Sequence, residues 1–355
     1  MKPTLTLAGQ TIGPGAPTYV IAEAGVNHNG ALARALELVE AARRCGADAV
    51  KFQTFHAERL CPPTVRKADY QVEQTGGDET QYEMLRRLQL SEADFEVLFA
   101  RAQELGITFL STPFDEEALA FLVDLGVPAL KIGSTDNLNP LLLRAAARSG
   151  LPIIYSTGMS RVWEAIEAVE LLEAAGATEV VITVCTTEYP ATPRTTRLRA
   201  MDVFRDLFGI PVGLSDHSLG WHLSLAAVAR GADLIENHFT LDRTLPGPDH
   251  TTSLDPPMLD RMVREIREVE EALACPPDAR APQEDMNATV AHKSIVALRD
   301  IAAGEVLSSE NIAVMRPGIG LAPRLWDVVC GSQVMTALAA GTPLQWEHLL
   351  RKMMN

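Results

Sequence analysis

From Tyr19 to about Leu273 short runs of β-branched residues alternate with longer stretches in which Leu, Ala and Glu recur at helical spacing. Eight runs, TYVIAEAG, DAVKFQ, GITFLST, ALKIGS, LPIIYST, EVVITVC, PVGLSD and ADLIENH, are apolar through their middles. That is what a strand covered on both faces needs. Between them ALARALELVEAARRCG, ALAFLVDLG and WEAIEAVELLEAAG read as helices ending at a Gly suited to a C-terminal cap. Eight βα repeats predict an α/β fold, a closed (β/α)8 barrel of TIM type, in preference to an open doubly wound sheet.

Two segments break the rhythm. Between Thr54 and Gln89 the run HAERLCPPTVRKADYQVEQTGGDETQYEMLRRLQ is too long for an ordinary βα loop. An insertion of this kind after an early strand is expected to form a lid or rim over an active site. Around CPPDARAPQEDMN the periodicity stops, as in an interdomain linker. The expected layout is a barrel over residues 1–275, a linker over 276–288 and a small, mostly β domain over 289–355, where SIVALRD, NIAVMRPG and SQVMTALAAG look like short strands.

Composition narrows the function. A net charge of -15 speaks against a nucleic-acid or anionic-membrane partner, since both are recognised by clustered Lys and Arg. No apolar run reaches the ~18 residues of a membrane span and the first residues lack a signal-peptide pattern, so a cytoplasmic location is expected. The five cysteines are scattered without a CxxC pair, which suggests neither a disulfide framework nor a thiolate zinc site. Dinucleotide, P-loop and GxSxG signatures are absent.

Catalytic groups of such barrels come from the carboxyl ends of the strands. Those ends read Glu23 with Asn27 and His28, Lys51 with Gln53, Thr112, Lys131 with Ser134 and Asp136, Ser156, Thr186 with Thr187, Ser215 with Asp216 and His217, and Glu236 with His238. Gathering so many ionisable groups at one rim is costly unless they serve chemistry. Lys51 and Lys131, with the hydroxyls of Thr112, Ser134, Ser156 and Ser215, would suit a small phosphorylated carboxylate. Pairing of each lysine with Glu23 or Asp136, or a Schiff-base nucleophile, are the alternatives. His217 and His238 end neighbouring strands and could share a divalent ion such as Mn²⁺, Fe²⁺, Co²⁺ or Zn²⁺, or serve as hydrogen-bonding groups. Asp249, in a Gly/Pro-rich loop, could orient a metal-bound water or simply form a turn.

Taken in order, IAEAGVNHNG, DAVKFQTF, STPFDEEAL, LKIGSTDNLNPLLL, STGMS, CTTEYPA, GLSDHSLG and HFTLDRTLPGPDHTTSLDP resemble the sialic acid synthase family. The resemblance resumes in SIVALRDIAAGEVLSSENIAVMRPGIGLAP, which is similar to its antifreeze-like SAF domain of β-clip fold. It implies condensation of phosphoenolpyruvate with an N-acylated hexosamine, N-acetylmannosamine first, to N-acetylneuraminate and phosphate. It further implies a divalent metal, Mn²⁺ ahead of Mg²⁺ or Co²⁺. By position the resemblance assigns Lys51, Thr112, Lys131, Ser134, Ser156, Thr187 and Ser215 to phosphoenolpyruvate, and His217 and His238 to the metal. Glu23 and Asp136 fall at the acidic positions for water attack and proton transfer, with Gln53, Tyr189 and Asp249 near the sugar. Arg316 matches an arginine that caps the site of a second subunit, implying a domain-swapped homodimer.

Ser134-Thr135-Asp136 stands where many bacterial members read SGE and resembles relatives using phosphorylated sugars. DYQVEQTGGDETQYEML instead resembles the branch using unphosphorylated ones. Legionaminate-type and sialate-9-phosphate synthesis are therefore the neighbouring alternatives. Further off stand a Schiff-base sugar aldolase and a non-catalytic sugar-binding protein.

Overall fold

A computed structural model describes residues 1–349, which fall into two compact units, Met1–Ala274 and the remainder from Cys275. The first opens with a hairpin of β1 (Leu5–Leu7) and β2 (Gln10–Ile12), turned at Ala8 and Gly9, which both take positive φ. The barrel follows: β3 (Tyr19–Gly25), β4 (Ala49–Thr54), β5 (Thr108–Pro113), β6 (Leu130–Ile132), β7 (Ile153–Ser156), β8 (Val180–Cys185), β9 (Val212–Asp216) and β10 (Leu234–His238). These are the eight expected strands, all parallel, in the order β5-β4-β3-β10-β9-β8-β7-β6. Between β5 and β6 no hydrogen-bonded ladder runs, so the barrel is nearly closed.

Helices such as Leu32–Arg44, Glu116–Leu125 and Val162–Ala174 bury their apolar faces against the outside of the strands. The inner layer at the opposite end from the site is different. There Leu5, Leu7 and Ile12 of the hairpin join Tyr19, Ile21, Ala49, Leu110, Ile154, Val181 and Leu234 in one buried cluster that seals the amino-terminal mouth. The hairpin went unread in the sequence because its strands are only three residues long.

The long insertion folds as three short helices, Ala57–Leu60, Asp69–Thr75 and Gln81–Leu88. Phe55, Met84 and Leu88 pack with Val26 in a small core of their own, on which the insertion rests.

In the second unit β11 (Ser294–Ala297) pairs antiparallel with β12 (Ile312–Met315). Isolated bridges, including Ile301 with Leu338 and Val306 with Gln333, extend the β character around a core of Ile295, Leu307, Ile312, Val334 and Leu344. Within and just beyond the segment expected as a linker, Pro282–Ala291 is a helix. Pro282 starts it and the Glu284 carboxylate accepts the Ala281 N–H, but none of its residues is buried. It therefore carried no apolar period to read. The final residues of the domain expected over 289–355 lie outside the described ones. Among the described residues no helix is long and apolar enough to cross a membrane, and the cysteines are free.

Candidate active site

The carboxyl ends of the strands open into a cavity of about 540 Å³. Glu23, Lys51, Gln53, Thr112, Lys131, Ser134, Asp136, Ser156, Thr187, Tyr189, Ser215, His217, His238 and Asp249 all line it. Arg316 belongs instead to the second unit, where it is exposed and its Nε donates to the carbonyl of Ala291.

Each side chain is aimed by its strand. In β3 the register slips between Glu23 and Gly25, a bulge that leaves Gly25 at φ +51. A Cβ there would press on the Glu23 carboxylate, so glycine gives that group its room. Lys51 Nζ lies 2.6 Å from Glu23 Oε2 and 3.8 Å from Glu236 Oε2, and donates to Thr112 Oγ1 at 3.2 Å. Lys131 Nζ is 3.6 Å from Glu236 Oε1, which also accepts from Ser215 Oγ at 2.9 Å. Gln53 Nε2 donates to Glu23 at 3.2 Å. The lysine–carboxylate pairing weighed from sequence thus exists for Lys51 with Glu23. Asp136 instead accepts from Thr135 and Asn139 in its own loop.

These charges are buried, and burial sets their protonation. Burial alone would push Lys51 down, but Glu23 and Glu236 outweigh it and hold the ammonium above its usual range. Lys131 is lowered, chiefly by burial, with Glu236 offsetting only part. Burial raises Glu23 above the carboxylate range despite Lys51. Glu236 goes the other way: burial would raise it, yet Lys131, Lys51 and the Ser215 hydroxyl together hold it ionised. Burial lifts Asp249 to about 6.

Beside the lysines Ser134 and Ser156 hydroxyls meet at 3.0 Å. A Cβ on Gly158 would collide with Ser134 Oγ and Thr187 Oγ1, so this glycine keeps a hydroxyl-lined cradle open. Two lysines and several hydroxyls thus line one cavity and can offer positive charge and donors to an anion, although the protein is acidic overall.

The imidazoles of His217 and His238 stand 5.2 Å apart between ring centres. His217 Nδ1 lies 2.8 Å from the Thr186 carbonyl, an acceptor only, so it carries a proton; burial would lower this imidazole, but Cys185 and the Thr186 carbonyl raise it above its ordinary value. His238 is pushed well down by burial, then by His217 and Lys51, and is neutral. Its Nδ1 is buried without a partner among the described residues. The orphaned nitrogen of His238 beside the His217 ring fits a divalent ion, for which His217 would give up a proton. No group of three or more His, Cys, Asp or Glu that could hold a metal occurs among the described residues, so water and substrate would complete the shell.

Some lining residues were missed. Glu236 was noticed at the rim but given no role, although it bridges both lysines. Cys185, one of the scattered cysteines given no role from the sequence, has its Sγ 3.9 Å from His217 Nδ1. Burial would raise its thiol, but His217 and Ser134 lower it to about 6. Tyr70 and Gln71 reach the cavity from the insertion, which no strand-end reading could foresee.

Comparison with known proteins follows the same division. Residues 38–276 match the NeuB family and residues 292–350 the SAF domain. The N,N'-diacetyllegionaminic acid synthase of Legionella pneumophila is 43% identical over 335 residues, covering 93% of this chain and 94% of that protein. The human N-acetylneuraminate-9-phosphate synthase is 35% identical over 307 residues, covering 86% and 85%. The crystal structure of the N-acetylneuraminic acid synthetase of Leptospira borgpetersenii superposes with a TM-score of 0.70 at 33% identity, covering 80% of this chain and 94% of that one.

Proposed function

Because the chain belongs to the NeuB family, with a C-terminal SAF domain, we propose that it condenses phosphoenolpyruvate with an unphosphorylated N-acylated hexosamine to a nine-carbon 2-keto sugar acid and phosphate. The observation that carries the reading is that Lys51 and Lys131 line the same cavity as the hydroxyl cradle at Gly158. It offers cations and donors to the phosphate and carboxylate of one small anion.

Bond changes follow from that placement. C3 of phosphoenolpyruvate attacks the aldehyde of the open-chain sugar, water adds at C2, and the C–O bond breaks to release phosphate. Lys51 and Lys131 hold the negative charge throughout. Glu23, raised by burial and in contact with Lys51, can exchange a proton with the incoming water near neutrality. Asp136, tied to Thr135 and Asn139, is the alternative acid. His217 and His238 would hold a divalent ion, Mn²⁺ first, which when bound would polarise the aldehyde as a Lewis acid.

The outer wall bears on the sugar. Leu60, Ala68, Tyr70, Gln71, Gln81, Met84, Leu85 and Leu88 supply neutral surface there. Lys67 nearby is buried and spent on Thr75 and Glu79. Among the described lining residues the lysines are Lys51 and Lys131, both engaged at the floor, so this chain's own cavity wall offers a sugar phosphate no further ammonium or guanidinium. An apolar, hydrogen-bonding wall suits acylamino and deoxy substituents. That wall and the 43% identity to a diacetyllegionaminic acid synthase support 2,4-diacetamido-6-deoxymannose, giving a legionaminate-type product, over the expected N-acetylmannosamine.

Arg316 completes the reading: in a homodimer it would reach the acyl group of sugar bound to the partner copy. Mixing Lys131→Ala with Arg316→Ala subunits tests this, since restored activity requires sites shared between chains and continued silence denies it.

The experiment for the activity is phosphate release from phosphoenolpyruvate with N-acetylmannosamine, its 6-phosphate, or 2,4-diacetamido-6-deoxymannose, with Mn²⁺ or EDTA. Metal-dependent release with an unphosphorylated sugar is expected. Pyruvate use trapped by borohydride on a lysine would replace the reading with an aldolase.

A further inference from the structure

The helix Asp69–Thr75 brings a side chain to the cavity that no strand supplies. The Tyr70 ring stacks on Tyr189 at 5.0 Å and 26°. Tyr189 in turn stacks on His217 at 4.3 Å and 25°. Aromatic contact therefore runs unbroken from the insertion to the imidazole wall.

The Tyr70 hydroxyl is equally placed. The oxygen of Gln71's amide accepts the Ala68 N–H at 3.0 Å, which fixes the orientation of that amide. Its NH₂ then donates to the Tyr70 oxygen at 3.3 Å. With its oxygen already accepting, the phenol has its proton left to give. Burial, and then the neighbouring Asp249 carboxylate, raise Tyr70's pKa well above its usual value, so the phenol keeps its proton. Asp249 spends its backbone carbonyl on Ser253 and Thr252, while its carboxylate accepts no hydrogen bond among the described residues. One donor and one acceptor thus face the same space in the outer cavity.

We infer that Tyr70 is a sugar-recognition residue: its hydroxyl, oriented by Gln71, donates to an acyl or hydroxyl oxygen of the N-acylated sugar while Asp249 opposite accepts an N–H or O–H. The ring meanwhile braces Tyr189 against His217. Lys67 anchors the arrangement by donating to Thr75 at 2.8 Å and approaching Glu79 at 3.4 Å, so the helix arrives preformed. This rests on the sugar-condensing reading above and adds the group that selects the sugar's distal end.

The test is steady-state kinetics of the full-length, Mn²⁺-supplemented enzyme with each substrate varied separately, alongside calorimetric phosphoenolpyruvate binding without sugar. Tyr70→Phe keeps the stack and loses the proton, so sugar KM should rise about tenfold with phosphoenolpyruvate affinity unchanged. Tyr70→Leu should also lower kcat, because the brace is gone. Gln71→Leu should raise sugar KM by a smaller factor, about threefold. Unchanged sugar KM in Tyr70→Phe, or equal losses toward both substrates, would overturn the inference. A wild-type enzyme that turns over no sugar of the panel would remove the sugar-condensing reading and this one together.

Discussion

The two mouths of the barrel are made from the same eight strands and treated in opposite ways. At the amino-terminal mouth a hairpin lays Leu5, Leu7 and Ile12 onto Tyr19, Ile21 and Leu234, and the cluster has no ionised member. At the other, Glu23, Lys51, Lys131 and Glu236 are each nearly inaccessible to water, held in mutual ion pairs. Burying apolar surface stabilises; burying charge costs even when paired. One end therefore secures the fold, which lets the other carry an arrangement fit for binding an anion.

Substitutions at each end should separate cleanly. Lys131→Ala is expected to cost turnover on the order of 10³-fold, by removing a cation from the reacting anion, while the chain still folds around a Glu236 that keeps Lys51 and Ser215 as partners. Retained activity would show that Lys131 merely balances Glu236. Leu7→Ala, at the sealed end, should lower stability by about 2–5 kcal/mol in denaturant unfolding and leave both KM values alone. A shifted KM there would mean that the hairpin and the site are coupled.

A smaller effect concerns pH. His28 and His250 support the loops beside the site: His250 Nδ1 pairs with Thr240 at 2.7 Å and its Nε2 with Asn29 at 3.2 Å. Burial, with Arg34 adding to it, lowers each from the ordinary 6.5 to about 4. Between those values the unfolded chain binds protons that the native one refuses, so stability rises with pH across this window and is lost as pH falls from 6.5 toward 4. His250→Gln should flatten part of that slope in pH-dependent melting. An unchanged slope would assign it elsewhere.

Much of this was legible before any coordinates. The strands announced themselves because both faces of each are covered, which leaves uninterrupted apolar runs. Polar groups directly after such runs must sit at one mouth, which is how Lys51, Lys131, His217 and His238 could be picked out. What stayed hidden depended on contacts between distant segments. Glu236 gains its meaning only when two lysines from other strands close on it. Tyr70 lies in a polar helix with no buried residue, and only the stack on Tyr189 betrays its place. The helix Pro282–Ala291 escaped for a related reason, since it buries nothing that would impose a period.

The most direct measurement of the central claim is the fate of oxygen-18 placed in the C–O–P bridge of phosphoenolpyruvate, followed by mass spectrometry of both products. Condensation with attack of water at C2 and C–O cleavage delivers the label to phosphate. Label retained in the keto acid would mean cleavage at phosphorus, and would contradict the role given to Lys51, Lys131 and Glu23.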